Sequence, residues 1–168
     1  MARLGCKCGA EMTNTVAPSK NILNIFFLRE AEEAVRNNSE IRLWDFYTGW
    51  DENNNCYDSF KKRKEPVEYW YCTECKKIYE VQAVSCGKIM RVYEPCDVEE
   101  KEIDFSSLKE LLLLWDVDMD EILSSNEKMT LEQYLKKEKT IEYYISLDER
   151  MVYVVKNSEV VGCYKKME

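Results

Sequence analysis

The chain contains no histidine. The residue most used for general acid–base catalysis is therefore missing, and so is the commonest nitrogen ligand for metals. Ser–His and Cys–His nucleophile chemistry are excluded, whereas carboxylate and lysine chemistry are not. Long apolar runs are absent too. The longest are Leu111 to Trp115 and Met151 to Val155, far short of the roughly 20 residues a membrane-spanning helix needs. The first residues, Met1-Ala2-Arg3-Leu4-Gly5-Cys6, lack the apolar core of a secretory signal. A cytoplasmic protein is expected, and in that compartment thiols stay reduced, so paired cysteines read as metal ligands before disulfides.

What is present suits a folded domain. The 168 residues are enough to bury a real core. Eleven tyrosines and four tryptophans supply large amphipathic side chains, which fill cores and anchor interfaces. Charge is unevenly placed. Up to Cys96 there are 14 acidic and 14 basic residues, and from Asp97 onward 18 acidic against 10 basic, so the whole net charge of −8 lies in the second part. A field of that sign repels nucleic acid and attracts basic partners.

Eight cysteines are the strongest chemical signal. Cys72-Thr73-Glu74-Cys75 has ordinary knuckle spacing and sits between two strand-like runs, Val67 to Tyr71 and Ile78 to Val84. Gly5-Cys6-Lys7-Cys8-Gly9 is a second, shorter knuckle flanked by glycines. Thiolates suit zinc, which takes four ligands in a tetrahedron. These residues resemble a zinc ribbon, over the N-terminal knuckle and about Val67 to Val84. The resemblance implies a structural zinc ion on Cys6, Cys8, Cys72 and Cys75, with 63 residues inserted between Cys8 and Cys72. Cys56, Cys86 or Cys96 could replace one member of the short knuckle, or form a second site. Cys163 reads as a small core residue. A closed four-cysteine site serves folding rather than catalysis.

The remaining pattern suggests a helix over Lys20 to Asn37, a strand over Ile41 to Tyr47, and a polar loop over Gly49 to Lys64 carrying Lys61-Lys62-Arg63-Lys64. Ile89 to Tyr93 reads as a strand. Ser107 to Glu110 and Thr130 to Gln133 both match a capping box, predicting helices at Leu111 to Trp115 and Leu131 to Lys139. Three strand-like runs, Ile141 to Leu147, Met151 to Lys156 and Val160 to Tyr164, form an antiparallel meander. Asp116 to Glu127 matches five places of a calcium loop, but Glu121 stands where glycine is required, and a helix start rich in acids is the competing reading.

The expected fold is α+β: a zinc-ribbon-like antiparallel module with an inserted helix over residues 1–96, and an acidic C-terminal meander with short helices over residues 97–168, the two packed as one globule. No catalytic residue is expected. Acidic Asp116, Asp118, Asp120 and Glu121, with Trp44 and Trp50, are the candidate contacts for a basic protein partner. In size and charge the chain also resembles the bacterial immunity proteins of contact-dependent growth inhibition systems. That resemblance implies inhibition of a basic toxin domain. The competing expectation is a zinc-ribbon regulator that contacts nucleic acid or the transcription machinery.

Overall fold

Eight strands close into one antiparallel barrel, and this overturns the expected zinc-ribbon-like α+β architecture. The computed structural model describes residues 3–48, 67–82, 88–98 and 103–168. A separate two-stranded hairpin comes first, β1 (Arg3–Gly5) with β2 (Glu11–Thr13). Then follow β3 (Ile22–Phe27), α1 (Leu28–Asn37), α2 (Leu43–Thr48), β4 (Val67–Tyr71), β5 (Ile78–Gln82) and β6 (Lys88–Cys96). A 3₁₀ turn at Phe105–Ser107 leads to β7 (Lys109–Trp115), α3 (Asp116–Ser125), α4 (Leu131–Leu135), β8 (Glu142–Ile145), β9 (Met151–Lys156) and β10 (Glu159–Lys166). Around the barrel the order is β10-β6-β5-β4-β3-β7-β8-β9. The charge break at Pro95–Asp97 thus lies inside the barrel's circuit, because β3 pairs with β7 and β6 pairs with β10.

Three local expectations fail for identifiable reasons. The stretch Lys20 to Asn37 is a strand followed by a helix. Ile22, Leu23, Ile25, Phe26 and Phe27 are β-branched or aromatic residues, or leucine, and they take ladder partners on both sides, β4 and β7. The helix begins only where Glu30 turns back, its Oε2 accepting from the Phe27 N–H at 2.9 Å. Ile41 to Tyr47 contains helix α2 instead of a strand. Leu43 and Tyr47, four residues apart, both point into the core beneath it, and Asp45 accepts two hydrogen bonds from Arg42.

Leu111 to Trp115 is strand β7 instead of a helix. It is covered on both faces: Leu112 and Leu114 meet α1, α2, α3 and α4, whereas Leu111 and Leu113 face the barrel lumen. A strand buried on both faces has no alternation to read, so its apolar run imitates a buried helix. The Ser107 capping box does not form; Asp104 caps the 3₁₀ turn instead. Elsewhere the pattern holds. Thr130 and Gln133 close their capping box at the start of α4. The C-terminal meander is β8-β9-β10.

Three packed regions result. Leu43, Leu112, Leu114, Met119 and Leu131 bury the helices on the outside of β3 and β7. Met12, Trp70, Cys72 and Tyr79 bury the hairpin β1–β2 against β4 and β5. Ile78, Tyr93, Leu111, Ile145 and Val152 line the lumen. A cavity of about 1130 Å³ takes in that lumen and continues along the outer side of β3 beneath α1 and α2. Among the described residues, no helix is long and apolar enough to cross a membrane. Trp50, Cys56, Cys86 and the basic run Lys61 to Lys64 lie outside the described residues.

Candidate metal centre

Two hairpin turns build the site. In the first, the Cys6 N–H donates to the Ala10 carbonyl at 2.8 Å and the Gly9 N–H to the Cys6 carbonyl at 2.9 Å. Gly9 has φ +95°, a conformation that L side chains rarely adopt, so the trailing glycine lets the shortened knuckle close. In the second, the Cys72 N–H donates to the Lys77 carbonyl and the Lys76 N–H to the Cys72 carbonyl, both at 2.9 Å. Lys76 takes the left-handed conformation there, with φ 64°.

The turns place four sulfurs together. Cys6, Cys8, Cys72 and Cys75 have their Sγ atoms all within 4.8 Å of one another. Cys6 and Cys75 are 3.4 Å apart, and Cys8 and Cys72 are 3.7 Å apart. Four thiolates at about 2.3 Å from a tetrahedral zinc would be about 3.8 Å apart, so the cluster is close to ligating geometry. It could hold a metal ion with no further residue. Sequence spacing left the short knuckle open to replacement by Cys96. In the fold Cys96 instead stands opposite Cys163 across β6 and β10, with the two sulfurs 2.6 Å apart.

The electrostatics favour a cation. Burial pushes the Cys6 thiol up, but the Cys8 amide, the Tyr79 hydroxyl and Cys75 outweigh it and bring its pKa down to about 6. Burial and the neighbouring Cys6, Cys72 and Cys8 push Cys75 up to about 12. Cys8 is also raised: the Ala10 amide stabilises its thiolate, but Cys6, burial and Cys72 prevail against it. One thiolate forms readily and its negative charge opposes the next. A divalent cation removes that opposition.

Tyr79 was not singled out by the sequence. Its hydroxyl lies 3.0 Å from the Cys6 Sγ, and its ring is buried at 2% exposure. The available signal was its place in β5, the strand that leaves the Cys72–Cys75 turn. The family model described as a domain of unknown function, DUF8617, matches residues 2–101, more than half of the chain.

The chain belongs to the DUF8617 family.

The matched DUF8617 segment holds both cysteine knuckles and strands β1 to β6, and ends before β7. No curated protein and no solved structure matches the chain.

The other candidate contacts fall elsewhere. Asp116 is engaged within the chain: its Oδ2 accepts from the Ser19 N–H at 2.5 Å and its Oδ1 from the Tyr47 hydroxyl at 2.7 Å. Asp118, Asp120 and Glu121 are exposed on α3. Trp44 on α2 is 45% exposed, and its ring centroid is 6.2 Å from that of Tyr47. Tyr47 thus links Trp44 to the acidic start of α3. Asp116 to Glu127, which matches five places of a calcium loop, forms helix α3 through Ser125, the acid-rich helix start that was the competing reading.

Proposed function

We propose that this chain is a non-catalytic binding protein that carries a structural zinc ion on Cys6, Cys8, Cys72 and Cys75, and that it inhibits a basic protein domain in the manner of an immunity protein. The observation that carries the zinc reading is the closed quartet of sulfurs, which leaves no coordination position for water or substrate. A soft, all-thiolate donor set in a reduced compartment selects zinc over magnesium or calcium. The ion's role is mechanical. It fastens the β1–β2 hairpin, which among the described residues has no ladder partner in the barrel, to the β4–β5 turn.

The partner reading is supported by charge and exposure. The net charge of −8 lies after Cys96. Asp118, Asp120 and Glu121 are exposed on one short helix, and half-exposed Trp44 lies against Tyr47, whose hydroxyl bonds Asp116 at the start of that helix. An exposed aromatic together with exposed acids is suited to a cationic protein surface. The test is affinity capture from the source cell with the zinc-loaded chain, beside a variant carrying Asp118→Lys, Asp120→Lys and Glu121→Lys. A basic protein retained by the parent and lost by the variant supports the reading. Binding of random DNA or RNA near physiological salt contradicts it.

A further inference from the structure

An eight-stranded barrel is wide enough inside either to be filled by its own side chains or to hold one small ligand. Here the lumen is not filled. Tyr69, Tyr71, Leu113, Tyr143, Val154 and Tyr164 all line the cavity, and each keeps partial solvent exposure although it faces inward.

The chemistry of the wall is specific. Trp115 packs edge-on to Tyr71, with ring centroids 5.0 Å apart, so the wall offers aromatic faces. The hydroxyls of Tyr69, Tyr143 and Tyr164 have no hydrogen-bond partner among the described residues. Among the described residues no side-chain polar atom is both fully buried and unpaired, so these hydroxyls keep access to solvent and can pair with a ligand. The charged groups, by contrast, are already committed to one another. Arg91 pairs with Glu149 through Nη1 and approaches Glu80 at 3.5 Å, and Lys109 lies 4.0 Å from Glu149. Tyr93 closes the network by donating to the Glu149 carbonyl at 3.0 Å. An ionic ligand would have to break these pairs, whereas a neutral one would not.

We propose that the barrel lumen binds one small, uncharged aromatic molecule that carries a hydrogen-bonding group. The ring lies against Tyr71, Trp115 and the apolar wall. Its polar group meets the free hydroxyls of Tyr143 and Tyr164. This site is separate from the cysteine cluster and from the acidic face of α3, and it stands whether or not the chain has a protein partner.

The test titrates the zinc-loaded full chain with 1-naphthol and with naphthalene by equilibrium dialysis, reading the bound probe from its own fluorescence. Saturable uptake of about one 1-naphthol per chain is expected, tighter than naphthalene by about threefold or more, the size of one modest hydrogen bond. Tyr143→Phe with Tyr164→Phe removes that preference and leaves naphthalene unchanged. Val154→Trp and Leu113→Phe, which fill the lumen, abolish uptake of both probes, whereas Val161→Trp on the exposed side of β10 does not. The phenylalanine pair hardly alters packing, so it carries the test even if a filled lumen prevents folding. Absence of saturable uptake overturns the proposal. So does a 1-naphthol affinity that the tyrosine substitutions leave unchanged, or uptake that persists in a folded Val154→Trp or Leu113→Phe chain.

Discussion

The hydroxyl of Tyr79 lies 3.0 Å from the Cys6 sulfur, and both residues are buried. A hydrogen bond to a ligating thiolate orients it and disperses its charge. Tyr79→Phe keeps the packing and removes this bond. The zinc affinity is expected to fall by about tenfold or more, measured by competition with a chromophoric chelator. An unchanged affinity would mean that Tyr79 only fills space.

Metal binding is expected to release protons. With Cys75 raised to about 12, its thiol is protonated at neutral pH and must lose that proton to bind. Cys6, lowered to about 6, is already mostly thiolate there. Affinity therefore rises with pH through neutrality, and falls more steeply once acidification protonates Cys6 as well. Zinc competition across the range from about pH 5 to 8 reads this out. A flat profile would contradict the assignment of these thiols as ligands.

Removing the metal should free the hairpin before it opens the barrel. Among the described residues β1 and β2 pair only with each other, whereas the barrel closes through β3 to β10. Chelation, or Cys72→Ser, is expected to make the segment around Arg3 to Thr13 the first site of proteolysis and of amide exchange, while the barrel strands stay protected. Loss of the hairpin also exposes Met12 and Trp70, so the melting temperature drops. Simultaneous loss of protection in β7 to β10 would show that the clamp supports the whole fold.

Cys96 and Cys163 are paired directly across β6 and β10, with sulfurs 2.6 Å apart. A mild two-electron oxidant such as diamide is expected to join them, each thiol losing one hydrogen to the reagent. Burial holds Cys163 up at about 12, so the reaction is slow at neutral pH and accelerates as pH rises. The bridge would tie strands far apart in sequence and raise stability by about 2–4 kcal/mol. Cys163→Ser should abolish both the mass change and the gain. A gain that survives Cys163→Ser would place the bridge elsewhere.

The cysteine site was legible because its determinants are local. A knuckle is a tight turn with glycine or a left-handed residue at a fixed offset, and Gly9 and Lys76 occupy those places. The C-terminal meander was legible for the same reason, since β8, β9 and β10 follow each other through short turns. The barrel was not. Its closure joins β3 to β7 and β6 to β10, pairings between distant segments that no local pattern encodes. Leu111 to Trp115 misled because both of its faces are covered. Tyr79, Glu80, Arg91 and Glu149 gave no motif at all, since their roles arise only when separate strands and the β8–β9 turn meet.

Whether the four cysteines hold one structural zinc ion, as proposed, is read at the metal itself. Metal analysis and X-ray absorption on chain purified without chelators address it directly. One zinc per chain with four sulfur neighbours at about 2.3 Å is expected. Less than about half an equivalent of zinc, or a shell containing nitrogen or oxygen in place of sulfur, would contradict it.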